Sequence, residues 1–266
     1  MDARVKWVFL VVLAAVITAA RPAPAFDHSH PAWNALLKRH VVLLDGGKAS
    51  RLQYSAMAQE RAALQDYLQT LSRVSEAELK SWSRPEQMAF LINAYNAHTV
   101  EKVLTRYPNL KSIWDFGRFF ANPFRDPFFS LLGARTTLDT VEHEILRKQY
   151  PDPRIHYAVN CASIGCPMLR EEAYVAAHLE EQLEEQTRRF LSDRSRNRVR
   201  GGRLEVSKIF DWFREDFEPL ERYFAAHAAL LAGDAREQQL VRDGKASLRF
   251  LDYDWSLNDS RSSSPR

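Results

Sequence analysis

Two cysteines and two histidines carry most of the chemistry this sequence offers. Cys161 and Cys166 lie five positions apart around Gly165, with Pro167 following, and His143 and His156 sit a little upstream. A thiol acts as a nucleophile when a neighbouring base or donor set favours its thiolate. Cys166 or Cys161, with His156 or His143 as base and an amide or carboxylate to orient the ring, therefore supplies the residue types for a thiol-dependent hydrolase or transferase. The same sulfurs support a second chemistry. A tight loop of this length can bring two Cα atoms within the roughly 4.4–6.8 Å that a disulfide spans. The loop would then be clipped into the rim of a polar pocket, or would work as a thiol–disulfide pair. A metal centre is poorly provided for, because no C-x-x-C or H-E-x-x-H spacing occurs and a disulfide would consume both sulfurs. No metal and no cofactor is expected.

The elements that must position these groups follow from periodicity. Ile155, Tyr157 and Val159 alternate with His156, Ala158 and Asn160, which predicts a short strand with His156 and Asn160 sharing one face. Glycine and proline then turn the chain through both cysteines towards Arg170. Upstream, Ser83 followed by Glu86 opens a helix that runs to about Arg106. Asn93 and Asn96 fall on or beside its apolar stripe, where they either tie down a loop or line a pocket; His98 falls on a face expected to be solvated. Residues 137–150 predict a helix with Asp139 as N-cap and Glu142 three positions on. Glu142 and His143 matter to function only if the fold carries them towards His156.

The remaining pattern is mostly helical. Helices are predicted over 33–44, closed by Asp45-Gly46-Gly47, over 54–71, and over 171–192. Gly201-Gly202 predicts a hairpin, Ser207 caps a helix bearing Phe210, Phe213 and Phe217, residues 248–251 read as a returning strand, and 252–255 fold back onto the body. Between them, 111–133 is an aromatic connection including Trp114, Phe119, Phe120 and Phe124, read as cover for the core. The fold class is α+β: a predominantly helical single domain with a small β-sheet that includes 155–159.

Five segments together resemble the DUF547 family: RIHYAVNCASIGCPMLR (154–170), FLINAYNAHTV (90–100), TLDTVEHEILR (137–147), SKIFDWFREDF (207–217) and LDYDWSLN (251–258). The resemblance spans nearly the whole chain after residue 25 and implies no particular activity. Family members occur as exported bacterial proteins and as modules of larger eukaryotic ones. His98 departs from the apolar residue expected at its position, so it inherits no role.

Composition narrows the partners. The chain has 266 residues, 45% of them hydrophobic, and a formal charge of +3. Residues 1–25 read as a signal peptide, with Arg4 and Lys6 before the apolar run 7–20 and Ala23-Pro24-Ala25 as the cleavage region. Without them the charge is about +1, which gives no basis for nucleic-acid binding. The run is also shorter than the ~20 residues of a spanning helix, so no stable membrane insertion is expected after cleavage. The expected organisation is a signal peptide over 1–25, a DUF547-like domain over 26–258, and a disordered tail over 259–266. Localisation is expected to be periplasmic or secreted. Export favours the disulfide, and with it a pocket for a small-molecule or peptide ligand lined by His156, Asn160, Arg170, Asn93, Asn96 and Glu142. The thiol enzyme is the alternative.

Overall fold

A helix with apolar residues on every side has to be buried, and α5 (Arg84–Leu104) is that helix. Its start is fixed by a reciprocal capping box. The Ser83 side chain accepts from the Glu86 backbone N–H, and the Glu86 carboxylate accepts from Ser83 N–H at 2.8 Å. In the computed structural model, residues 25–117 and 122–261 are described. The expected signal peptide up to Pro24, Phe119 and Phe120, and residues 262–266 lie outside them. Within them the chain forms one mostly helical α+β domain with small sheets.

Ahead of α5 come α1 (Pro31–His40), an antiparallel pair β1 (Val41–Leu44) and β2 (Ala49–Leu52), α2 (Tyr54–Gln59), α3 (Arg61–Ser72) and α4 (Glu76–Ser81). The helix expected over 33–44 therefore stops at His40. Val41–Leu44 extend instead, because Gly46 (φ 62°) and Gly47 (φ 87°) turn the chain back into a hairpin. The helix expected over 54–71 breaks at Glu60, whose carboxylate is held by Arg39 and His40. His98 is not solvated. It is buried and stacked on Phe129 at 3.9 Å, because the aromatic connection folds over that face of α5.

After α5 the chain forms the hairpin β3 (Phe129–Leu131) and β4 (Ala134–Thr136), then a π-helical turn (Thr140–Leu146) running into α6 (Arg147–Gln149). Asp139 is not the N-cap: it has helical angles, and Thr137 Oγ1 accepts the Thr140 N–H at 2.9 Å instead. Residues 155–159 are not a strand. Ile155–Ala158 form α7, a single helical turn started by the Asp152 carboxylate accepting from Arg154 N–H at 2.9 Å. All five residues from Ile155 to Val159 are buried, so the alternation had no solvated face to report.

The second half adds α8 (Leu179–Leu191), which begins later than the predicted 171 because residues 171–175 run irregularly under Gln182. The Gly201-Gly202 hairpin joins β5 (Arg198–Arg200) to β6 (Arg203–Val206), and β7 (Ser247–Phe250) adds to β6 in parallel. Between β6 and β7 lie α9 (Ile209–Trp212), a 3₁₀ turn (Arg214–Phe217), α10 (Leu220–Ala226), α11 (Ala228–Leu231) and α12 (Ala235–Arg242). Residues 251–259 then strap back across the body. Asp259 and Ser260, at the start of the expected tail, are tied to Leu52. No helix among the described residues is long and apolar enough to cross a membrane.

Two apolar clusters result. One is organised on α5 and takes in Ile155 and Ala158; the other holds Tyr157 with Phe190, Phe210, Phe217 and Phe224. The single turn α7 therefore belongs to both, and the cysteine loop leaves from that seam.

Candidate functional site

The cysteine loop is placed by two asparagines. Asn96 donates to Ala158 O at 2.9 Å and accepts from Asn160 N–H at 2.8 Å, so α5 grips the chain as it leaves α7. Asn160 donates to Pro167 O at 2.7 Å and accepts from Ala162 N–H at 3.0 Å, closing the loop on itself. Ala162 has φ 63°, a left-handed conformation that residues with a Cβ rarely adopt. That strained turn aims the Ser163 N–H back at Cys161 Sγ.

The two cysteines are free thiols, so the expected disulfide is not formed. Cys161 N–H points at Cys166 Sγ at 3.0 Å, and the thiols hydrogen-bond each other. Their surroundings differ. Cys161 is partly exposed, with Ser163 Oγ at 3.0 Å and Tyr253 Oη at 3.2 Å from its sulfur. Burial pushes its thiol up, but the hydrogen bonds from Cys166, from the Ser163 and Tyr253 hydroxyls and from Ser163 N–H outweigh that and hold it below the ordinary value. Cys166 is buried, and burial together with the neighbouring Cys161 sulfur keeps its thiol protonated well above the usual range.

Both sulfurs line a cavity of about 370 Å³. The π-helical turn contributes Glu142 and His143, with Asp139 just ahead of it; α7 contributes His156, α9 Trp212, and the strap Tyr253 and Trp255. His143 and His156 thus meet the cysteines in one space, as does Glu142. The other expected lining residues lie behind it. Asn93 binds Tyr174 N–H and C=O, Asn96 and Asn160 hold the loop backbone, and buried Arg170 is paired with Glu172 and Glu185.

His156 is buried and fixed on two sides. Its Nε2 lies 2.5 Å from Asp216 Oδ2, and its ring stacks on Phe213 at 4.2 Å. Burial would raise the Asp216 carboxyl, but His156 and Arg147, whose Nε is 2.6 Å away, hold it well below the ordinary carboxylate range. His143 is more open, with Nδ1 3.3 Å from Arg147 Nη1 and Nε2 3.8 Å from Asp139. Tyr95 forms part of the buried floor, its phenol raised first by burial and then by Glu142. At the mouth Trp114 and Trp212 are each about two-fifths exposed, at 40% and 44%, and both pack on Trp255, at 5.3 and 5.7 Å.

Sequence reasoning did not single out Asp216, Arg147, Ser163, Tyr253 or Trp212. The available signal was their presence in the segments 137–147, 154–170, 207–217 and 251–258. Among the described residues no group of three or more histidine, cysteine or acidic side chains is placed to hold a metal ion.

A family model described as protein of unknown function, DUF547, matches residues 79–191. The match takes in α5, the π-helical turn, α7 and the cysteine loop; Asp216, Trp212, Tyr253 and Trp255 lie beyond it. No curated protein and no solved structure matches the chain.

Proposed function

We propose that the cavity, in a chain whose residues 79–191 match a family model that assigns no activity, is a thiol-dependent acyl-transfer or hydrolysis site with Cys161 as nucleophile. One observation carries this reading: a partly exposed sulfur receives several hydrogen-bond donors inside a cavity that two histidines also line. Such donors favour thiolate, and thiolate is the nucleophilic form. In the reaction, Cys161 passes its proton to His143, the more accessible imidazole, and its Sγ attacks an acyl carbon. The C–S bond forms, the bond from carbon to the leaving group breaks, and His143 gives that proton to the departing group. Water or another acceptor then loses a proton to His143 as it attacks the thioester. The C–S bond breaks, the acyl product leaves, and the Cys161 thiolate is returned with the proton on His143. His156, locked between Asp216 and Phe213, positions the wall behind His143 through Asp216, whose carboxylate also binds Arg147, the neighbour of His143.

The tryptophans at the mouth suit a substrate with a flat or apolar portion. The test uses activated aryl esters of graded acyl length, followed by intact-mass and peptide analysis. An acyl adduct on Cys161, absent in Cys161→Ala, is the expected result. Failure of every ester to acylate Cys161, or acylation that survives in Cys161→Ala, overturns the reading. The competing reading, a pocket that binds a small molecule or peptide without chemistry, keeps the aromatic mouth but loses the clipping disulfide it was built on.

A further inference from the structure

The strap that closes the site also enters its chemistry. Residues 251–259 are laid along the cysteine loop by backbone bonds: Gly165 N–H to Asp254 O at 2.8 Å, Ile164 N–H to Ser256 O at 2.8 Å, and Asn258 N–H to Ala162 O at 3.1 Å. At Gly165 the approach is so close that a Cβ would stand 3.0 Å from Tyr253 Cγ, Tyr253 Cδ1 and Asp254 N. Glycine there lets the Tyr253 ring settle onto the loop, which puts its hydroxyl 3.2 Å from both Cys161 Sγ and Ser163 Oγ. Trp212 and Trp255 pack on the same ring at 4.8 and 4.5 Å and hold it there.

Resting on the reading of Cys161 as nucleophile, we propose that Tyr253 is a further catalytic residue: its hydroxyl donates to Cys161 Sγ, holds the sulfur as thiolate before attack, and receives no proton in exchange. Burial keeps the phenol itself protonated far above neutral pH, so the donor persists wherever the thiolate forms. A hydrogen bond to a charged acceptor is stronger than one to a neutral acceptor, so the bond favours the ionised sulfur over the thiol. The arrangement makes the strap, far downstream in the chain, a required part of a site whose cysteines lie at 161 and 166. Other titratable groups face the sulfurs from neighbouring elements: the buried phenols of Tyr54 and Tyr95, Arg196 beside Cys166, and Glu142, His143 and His156 across the cavity.

The experiment follows alkylation of Cys161 by iodoacetamide across pH in the full chain, with peptide mapping to separate it from Cys166. Tyr253→Phe keeps the ring and its aromatic contacts and removes only the donor. Its Cys161 midpoint is expected to rise by about one pH unit, which is roughly ten-fold slower labelling at pH 7. Gly165→Ala, which forces the ring off the loop from the other side, is expected to shift the midpoint in the same direction. Should Gly165→Ala not fold, Tyr253→Phe decides alone. An unchanged or lowered midpoint in Tyr253→Phe, with its thermal unfolding close to wild type, overturns the proposal. The nucleophile reading is judged separately, by ester acylation of the unsubstituted protein, so the two can fail independently.

Discussion

The thiol wall and the imidazole wall of the cavity are built by different forces. Around Cys161 nearly every positioning contact involves backbone or a neutral side chain: Asn96 on the chain entering the loop, Asn160 across it, the strap along it, and Ser163 and Tyr253 on the sulfur. Around His156 and His143 the contacts are charged, running from Arg147 to Asp216, Glu215 and the two rings. Neutral bonds buried in the α5 cluster are insensitive to salt and fix geometry. A half-exposed charge network at the edge of the second cluster is screened and tunable. The nucleophile's position and the proton-transfer side can therefore be perturbed separately.

The largest effect should come from the thiol wall. Asn96→Ala leaves Asn160 N–H and Ala158 O buried without partners, and should cost about 2–5 kcal/mol in urea unfolding. A cost under about 1 kcal/mol would mean the loop holds itself. Next comes acid sensitivity from the histidines buried away from the site. Burial lowers His98 to about 3 and His30, with help from nearby His28, to about 4. Each binds its proton less tightly folded than unfolded, so stability should fall as pH drops below about 6.5 and continue falling towards those values. His98→Leu should remove up to about 3 kcal/mol of the loss between pH 7 and 4, measured by denaturation at each pH.

On the imidazole wall, Asp216→Asn should cost about 1–2 kcal/mol at pH 7, discounted because the carboxylate is partly solvated. The folded carboxyl is depressed, so its contribution is complete above about pH 4 and is lost as pH falls further. The difference between Asp216→Asn and the unsubstituted protein should therefore vanish in strong acid and shrink in high salt. Smallest of all, Trp212→Ala, which removes two aromatic contacts from a side chain 44% exposed, should cost about 1 kcal/mol, while weakening protection of Cys161 by aryl ligands.

Local signals made much of the scaffold legible. Ser83 and Glu86 mark the start of α5, Gly201-Gly202 marks the β5–β6 hairpin, and β7 and the folded-back strap fall where periodicity and aromatics suggest, whereas Gly46-Gly47 turns a hairpin where a helix stop was expected. Asn93 and Asn96 are buried amides that tie down neighbouring backbone, one of the two roles their positions allow. The turn α7 was illegible for a physical reason. Alternation diagnoses a strand only when one face meets water, and here two apolar clusters cover both. Asp216 and Tyr253 were equally hidden, since their partners His156 and Cys161 lie 60 and 92 positions away. No periodicity encodes such a meeting. The contrast between the two sulfurs was hidden as well, because it depends on which of them the strap's hydroxyl reaches.

That contrast is what a single measurement addresses most directly. Native, unreduced and undenatured protein is labelled with iodoacetamide from pH 5 to 10, and the two cysteines are quantified separately. Cys161 should label with a midpoint below the ordinary cysteine value of about 8.5, while Cys166 stays unlabelled until the protein is denatured. Labelling of Cys166 ahead of Cys161, or of neither until a reductant is added, would contradict a free Cys161 thiolate as the centre of this site.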